Sequence, residues 1–154
     1  MTSRGPFAIA LVAVGRARDR PEGALTERYP GQLPWPARVV EIKEGAGPDR
    51  RRREGAGPLA ALSEDATVMA LDPGGQTVDS AAFARRIAAW RDGGVRELGF
   101  VIGGADGLDP AVLERADARL SLGAMTWPHL LVRAVIAEQL WRAASLLAGH
   151  PYHR

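Results

Sequence analysis

The sequence predicts an α/β domain with a mostly parallel sheet of about five strands and helices on both faces. Short apolar runs of strand length alternate along the chain with segments of helical periodicity. Glycine and proline mark most of the boundaries between these segments. The longest apolar runs are continuous, which is typical of strands that are buried on both faces. The length of 154 residues fits a single domain over residues 1–154.

The predicted elements follow one another in the order expected of a parallel sheet. Four strands are predicted at residues 7–14, 37–43, 66–71 and 98–102, and a further short apolar run covers residues 120–125. Helices are predicted at residues 24–29, 58–62 and 79–90, after Asp109-Pro110, and from Pro128 to Gly149. The segment Asp72-Pro73-Gly74-Gly75 predicts a turn that closes the third strand.

Composition excludes several classes of protein. The apolar fraction of 46% indicates a globular chain, and the formal charge of +2 does not by itself predict nucleic-acid binding. The chain has no cysteine, so disulfides, thiolate zinc sites and a cysteine nucleophile are excluded. No apolar run reaches the roughly 20 residues that a membrane helix needs, and no metal-ligand cluster appears. Residues 7–14 fit a first strand better than a signal peptide, so we expect a cytoplasmic location.

A glycine-rich loop, residues 103–107, follows the predicted strand at 98–102. Its spacing matches neither the dinucleotide fingerprint G-x-G-x-x-G nor a phosphate-binding P-loop. Two interpretations stay open. The loop is either a tight turn between a strand and a helix, or a place where backbone groups line a pocket for a ligand that is not a phosphate. The apolar segment 122–127 has the same two interpretations, either core packing or one wall of a pocket for an adenine ring.

The last predicted helix is apolar on almost every side, which predicts burial on more than one side and therefore a subunit interface. His129 and Arg133 lie one turn apart and share a face of this helix. They are either a capping histidine beside a satisfied arginine, or a pair that faces substrate or cofactor. Glu138 and Arg142 have the same spacing and are predicted to form a structural pair.

Two charged segments also have alternative interpretations. The run Arg50-Arg51-Arg52-Arg53 is either a solvated loop or helix start, or a patch that contacts phosphates; no aromatic residue is interleaved to stack on bases. The C-terminal His150-Pro151-Tyr152-His153-Arg154 is either a frayed end or a functional tail.

The C-terminal part of the chain resembles a known family. The run GFVIGGADGL, the segment LSLGAMTWPHLLVRAVIAEQLWRA and the tail HPYHR closely resemble the RlmH family of ribosomal RNA methyltransferases, which belong to the SPOUT superfamily of knotted α/β enzymes. The match is dense over residues 98–154. It is weaker over LVAVG at residues 11–15 and ALDPGG at residues 70–75.

The resemblance implies a homodimer with a trefoil knot in the C-terminal segment, at about residues 98–154. It also implies S-adenosylmethionine as cofactor, the ribosome and its 23S RNA as partners, and methylation at N3 of a pseudouridine on assembled ribosomes. The implied cofactor residues are Leu71, Gly103, Leu122, Gly123, Ala124, Met125, Thr126 and Trp127.

The candidate catalytic residues lie in the tail, through the resemblance, and in the last helix, through the chemistry of the reaction. Tyr152, His153 and Arg154 are expected to close over the methyl group or the target base, and the tail of one subunit is a candidate to complete the site of its partner. Methyl transfer requires that the methyl donor and the target base are held in position. The proton on N3 of the pseudouridine must also be removed. His153 or His129 is a candidate base, and Arg154 or Arg133 is a candidate to stabilise the anion.

Residues 16–58 depart from the family pattern, because they are shortened and interrupted by proline and glycine. The resemblance implies that this region forms part of the ribosome-facing surface. The part of the chain expected to dock the substrate is therefore the part that differs most from the family. Two alternative functions remain: a non-catalytic RNA- or ribosome-binding protein that retains the fold, and a SPOUT methyltransferase that acts on another RNA.

Overall fold

The computed structural model describes residues 7–153, so Arg154 lies outside the described residues. Five strands form one sheet: β1 (Ala8–Val14), β2 (Ala37–Ile42), β3 (Thr67–Gln76), β4 (Glu97–Ile102) and β5 (Ala118–Leu120). The strand order is β2-β1-β4-β3-β5, and every pair is parallel. The predicted mostly parallel sheet of about five strands is confirmed.

Within residues 7–153, six helices connect and flank the strands. They are α1 (Pro21–Arg28), α2 (Arg50–Glu54), α3 (Gly57–Ala60), α4 (Ser80–Asp92), α5 (Pro110–Arg115) and α6 (His129–Leu147), and a short 3-10 turn covers Pro30–Gln32. Two of them have aspartate N-caps: Asp79 accepts a hydrogen bond from the Ala82 amide at 2.7 Å, and Asp109 accepts one from the Ala111 amide at 3.0 Å. No helix among the described residues is long and apolar enough to cross a membrane.

Helices cover both faces of the sheet, as predicted. Because side chains alternate along a strand, β3 and β4 contribute to a core on each face of the sheet. The larger core joins Leu11, Met69 and Phe100 of the sheet to α4 and α6, for example through Ile87 and Leu140. The smaller core lies on the other face and packs against parts of α3 and α5. It is built from Val68, Ala70, Val101, Leu108 and Val112. The sheet is thus held rigidly from both sides.

The prediction of a turn that closes the third strand was wrong, because β3 continues to Gln76. Leu71 and Gln76 both pair with Leu120 of β5, so residues 72–75 leave the ladder and then return to it. A Cβ atom at Gly75 would lie 2.7 Å from the carbonyl carbon of Arg119, so only glycine permits this close return. The turn residues therefore shape an excursion within the strand, which we call the 72–75 excursion.

The region that departs from the family pattern is ordered as short helices. Helix α1 begins at Pro21, earlier than the predicted residue 24. The arginine run forms α2, which agrees with the helix start considered from the sequence, and Pro58 lies in the first turn of α3. These helices follow the carboxyl ends of β1 and β2, so they lie near the edge of the sheet where ligands bind in α/β folds.

Candidate cofactor pocket

All eight of the predicted cofactor residues line one pocket. The pocket has a volume of about 220 Å³ and lies at the carboxyl ends of β3, β4 and β5. It is lined by the eight predicted residues, namely Leu71, Gly103, Leu122, Gly123, Ala124, Met125, Thr126 and Trp127, and by other residues that include Asp72 and His129. We call it the glycine-loop pocket. Three chain segments that are distant in sequence therefore meet where an α/β sheet ordinarily binds a ligand.

The glycine loop, residues 103–107, folds back on itself. The Gly107 amide donates to the Gly104 carbonyl at 3.0 Å, and the two residues form an isolated antiparallel bridge. A Cβ atom at Gly103 would lie 2.5 Å from the Gly107 carbonyl carbon, and Gly107 has a φ of 81°. The loop is therefore a tight turn whose backbone forms a wall of the pocket.

The segment 121–128 forms the opposite wall. The Ser121 hydroxyl accepts a hydrogen bond from the Gly123 amide at 3.1 Å. Gly123 has a φ of 105°, and no atom lies within 4 Å of the position that a Cβ atom would occupy there. This turn leaves Met125 80% exposed and Trp127 41% exposed. Large apolar side chains that remain exposed beside a pocket indicate a surface that a ligand or a partner covers.

The lining of the glycine-loop pocket is mostly apolar and carries few ionisable side chains. Leu71, Leu122 and Trp127 supply apolar surface, and the two glycine-containing segments supply backbone amides and carbonyls. Asp72 and His129 supply the ionisable side chains of the lining, whereas neither arginine nor lysine contributes to it. A carboxylate beside apolar walls suits a ligand that carries a positive charge. Among residues 7–153, no group of potential metal ligands is present.

An open groove of about 490 Å³ adjoins the pocket and was not predicted from the sequence. It runs between α4 and α6 and shares Leu122, Gly123 and Trp127 with the glycine-loop pocket. The Ser80 hydroxyl donates to the Gln139 side chain at 2.8 Å in its wall. Its residues come from separate elements of the chain, so no local sequence pattern predicts it.

His129 and Arg133 lie together beside Gly15, but they face different surroundings. A Cβ atom at Gly15 would lie 3.3 Å from His129 Nε2, and His129 lines the glycine-loop pocket. Arg133 is 1% exposed and does not contribute to that lining. It donates to Glu41 at 2.9 Å and to the carbonyls of Val14 and Gly15 at 3.0 and 3.1 Å. Burial lowers the pKa of Arg133, and the Glu41 carboxylate opposes that shift.

These contacts give the two residues separate structural roles. Arg133 holds α6 against the ends of β1 and β2, and it does not contribute to the lining of the glycine-loop pocket. Its Nε is buried without a hydrogen-bond partner among the described residues. His129 is the member of the pair that reaches the site.

Comparison with known proteins identifies the family. A family model described as "Predicted SPOUT methyltransferase" matches residues 7–153. The chain belongs to the SPOUT methyltransferase family. The resemblance found in the C-terminal segment is thereby confirmed over almost the whole chain.

Curated relatives are similar to this SPOUT methyltransferase along nearly their full length. A protein of Paramagnetospirillum magneticum named ribosomal RNA large subunit methyltransferase H is 50% identical over 149 residues, which cover 95% of this chain and 98% of that protein. A protein of the same name from Rhodospirillum centenum is 51% identical over 147 residues, covering 94% of this chain and 97% of that protein.

A solved structure supports the fold. A probable methylase family protein from Haemophilus influenzae Rd KW20 superimposes with a TM-score of 0.57 at 11% identity. The superposition covers 99% of this chain and 72% of that chain. At this level of identity, the likeness concerns the α/β architecture.

The tail of this SPOUT methyltransferase packs onto its own last helix. The Tyr152 hydroxyl donates to Glu138 at 3.1 Å, and its ring lies edge-on to Trp141 with centroids 6.0 Å apart. Arg142 lies between Glu138, at 2.6 Å, and His153 Nδ1, at 3.1 Å. The predicted structural pair of Glu138 and Arg142 is therefore confirmed. Partial burial, and then the bond to Glu138, raise the pKa of Tyr152.

The tail and the pocket are separate within a single chain. Neither Tyr152 nor His153 lines the glycine-loop pocket, although both were considered as groups that close over the methyl group or the base. Their contacts with α6 fix the direction in which the chain leaves the helix.

Proposed function

We propose that this protein transfers a methyl group from S-adenosylmethionine to N3 of a pseudouridine in 23S ribosomal RNA on assembled ribosomes. The observation that carries the proposal is the glycine-loop pocket, which brings together residues 71, 103 and 122–127 in one lining. The ribosomal substrate is supported by relatives about half identical to this chain that are named for the large ribosomal subunit. We expect a single domain acting in the cytoplasm, where ribosomes are found.

The pocket residues fit the cofactor by the chemistry of its parts. S-adenosylmethionine supplies a methyl group that is activated by the positive charge of its sulfonium. Backbone groups of residues 122–127 suit the polar edge of an adenine ring, and Leu71, Leu122 and Trp127 suit its faces. Asp72 offers a carboxylate for the positive charge. These groups bind and orient, which is the main requirement of an in-line displacement.

Removal of the N3 proton requires a second group near the pocket. His129 is the imidazole that lines the pocket, so within one chain it is the candidate base. Arg133 supports His129 indirectly, because it fixes the first turn of α6 to the end of β1. Its burial and its three protein acceptors favour a positioning role over stabilisation of the anion.

The tail residues fit a role in a dimer. Tyr152 and His153 lie on α6, away from the pocket of their own chain, so they would reach a site only in a second copy. The exposed Met125 and Trp127 support a homodimer in which a partner covers this surface. We infer that Tyr152, His153 and Arg154 complete the partner's site, with His153 as a second candidate base and Arg154 as the cation that stabilises the anion.

The path of the chain supports a knot in the C-terminal segment. Strand β5 lies at one edge of the sheet, beside β3. The chain then crosses the ends of β3 and β4 and starts α6 beside Gly15, at the end of β1. The 72–75 excursion and the glycine loop flank this crossing. We infer that the crossing segment threads between them as the trefoil knot of the family.

Nucleoside analysis tests the proposed reaction. Ribosomes that carry the pseudouridines but lack this methylation are incubated with the protein and S-adenosylmethionine, and the 23S RNA is digested to nucleosides. A new nucleoside with the mass and retention of 3-methylpseudouridine supports the proposal. A methylated nucleoside that appears only in other RNAs would indicate a SPOUT methyltransferase with another substrate. Ribosome binding without cofactor binding would indicate a non-catalytic binding protein.

A further inference from the structure

Helix α2 presents three consecutive exposed arginines beside the cofactor pocket. Arg51, Arg52 and Arg53 are all exposed. None of them forms an ion pair with a carboxylate within residues 7–153. The preceding Arg50, in contrast, is paired with Asp106. The charges of the three exposed arginines are thus available to a ligand.

The helix is fastened to the glycine loop through its other two side chains. Arg50 donates to both oxygens of Asp106, from Nε at 2.6 Å and from Nη2 at 3.0 Å. Glu54 accepts a hydrogen bond from the Gly45 amide at 2.9 Å, and a Cβ atom at Gly104 would lie 3.3 Å from its Oε1. Arg50 and Glu54 therefore anchor α2 and leave the intervening arginines free.

This attachment places α2 beside the glycine loop, which forms one wall of the glycine-loop pocket. Asp106 belongs to the loop whose neighbours Gly103, Gly104 and Gly107 line the glycine-loop pocket. The hydrogen bond from Arg50 lowers the pKa of Asp106, so this carboxylate stays ionised and the link persists at neutral pH. An anion bound to α2 would lie next to the glycine loop, which lines the proposed cofactor pocket.

We propose that Arg51, Arg52 and Arg53 contact backbone phosphates of the RNA substrate and set the pocket against the target nucleotide. Guanidinium groups match phosphate geometry, and such contacts position a protein on RNA without reading its sequence. The helix carries no aromatic residue on which bases could stack. The inference rests on the proposed function, because it assumes an RNA substrate.

The test compares two double variants that remove the same charge. Arg52→Gln with Arg53→Gln alters α2, and Arg85→Gln with Arg96→Gln alters two other exposed arginines, on α4 and before β4. Methyl transfer to ribosomes lacking the modification is measured between about 50 and about 200 mM salt. The α2 pair is expected to raise the KM for ribosomes about 3- to 10-fold and to reduce the salt slope by about 1 for each phosphate that the variant no longer binds.

Further measurements separate the possible failures. Affinity for S-adenosylmethionine and the melting temperature are expected to be unchanged in the α2 variant. The pair Arg52→Lys with Arg53→Lys keeps the charge and is expected to retain most of the salt slope. Equal behaviour of the two glutamine pairs, or of the lysine and glutamine pairs on α2, would overturn the proposal. Absence of transfer by the unaltered protein would instead overturn the proposed function.

Discussion

Arg133 and Glu41 form an ion pair, with Nη1 and Oε2 2.9 Å apart, that joins the first turns of α6 to the end of β2. The arginine side chain is 1% exposed and that of the glutamate is 24% exposed. The same Glu41 oxygen accepts a hydrogen bond from the Ala17 amide at 2.6 Å. One pair of side chains therefore ties together the helix that carries His129, the loop after β1 and the neighbouring strand.

Loss of Arg133 is expected to destabilise the fold. Arg133→Met would leave the carbonyls of Val14 and Gly15 and the carboxylate of Glu41 without their partner, so the free energy of unfolding should fall by about 3 kcal/mol. Urea denaturation measures the change. The matched control is Arg91→Met, which removes a half-exposed pair with Asp92 and is expected to cost less than about 1 kcal/mol. Equal effects of the two variants would contradict the role of Arg133.

The glycine loop is expected to tolerate no side chain at its first position. Because a Cβ atom at Gly103 would lie 2.5 Å from the backbone of Gly107, Gly103→Ala must displace the loop. Affinity for S-adenosylmethionine, measured by calorimetry, should fall by about 10-fold or more, which is about 1.4 kcal/mol. Gly31→Ala is the control, since no atom lies within 4 Å of its Cβ position. An unchanged affinity in Gly103→Ala would remove the loop from the site.

Glu97 is expected to contribute to the loss of stability in acid. Burial tends to raise its pKa, but hydrogen bonds from the Ser63 amide and hydroxyl, with the charge of Arg38, lower it below the ordinary 4.5. Because the pKa is lower in the folded state, the contribution is present above pH 4.5 and is lost as the pH falls through the folded value.

The variant Glu97→Gln tests this assignment. At pH 7 it should be less stable than the unaltered protein by about 1 kcal/mol, because the charged hydrogen bonds to Ser63 become neutral. The difference should shrink as the pH falls below 4.5. Chemical denaturation at a series of pH values measures it. A constant difference across that range would contradict the linkage.

His129 is expected to act on the reaction more than on cofactor binding. It lines the pocket and lies beside Gly15, whereas the groups assigned to the adenine ring are backbone groups of residues 122–127. His129→Asn should lower kcat at neutral pH by about 100-fold or more if it is the base, with a small change in the affinity for S-adenosylmethionine. An unchanged kcat would contradict the assignment of His129 as the base and would leave His153 as the candidate.

The sequence predicted most of the sheet because β1, β4 and the first part of β3 are continuous apolar runs. Strand β5 has only three residues, Ala118–Leu120, with a charged one at its centre, so it gives no such signal. The end of β3 was predicted wrongly, because Asp72-Pro73-Gly74-Gly75 is a strong local turn signal. Pairing of Gln76 with Leu120, a contact between distant residues, overrides that signal. Local sequence cannot report such a pairing.

The site was predictable to different degrees. The pocket residues came from the family resemblance and not from periodicity, and their common lining was visible only in three dimensions. Glu41, the partner of Arg133, lies 92 positions away in sequence, so no spacing rule reaches it. The same holds for Arg50 and Asp106, which are 56 positions apart.

The measurement that tests the account most directly is transfer of a labelled methyl group from S-adenosylmethionine to ribosomes that lack this methylation, with protein-free 23S RNA in parallel. Incorporation is expected into ribosomes, with little into free RNA, and it should be strongly reduced in Gly103→Ala but not in Gly31→Ala. No incorporation into ribosomes by a folded protein that binds the cofactor would contradict the proposed substrate.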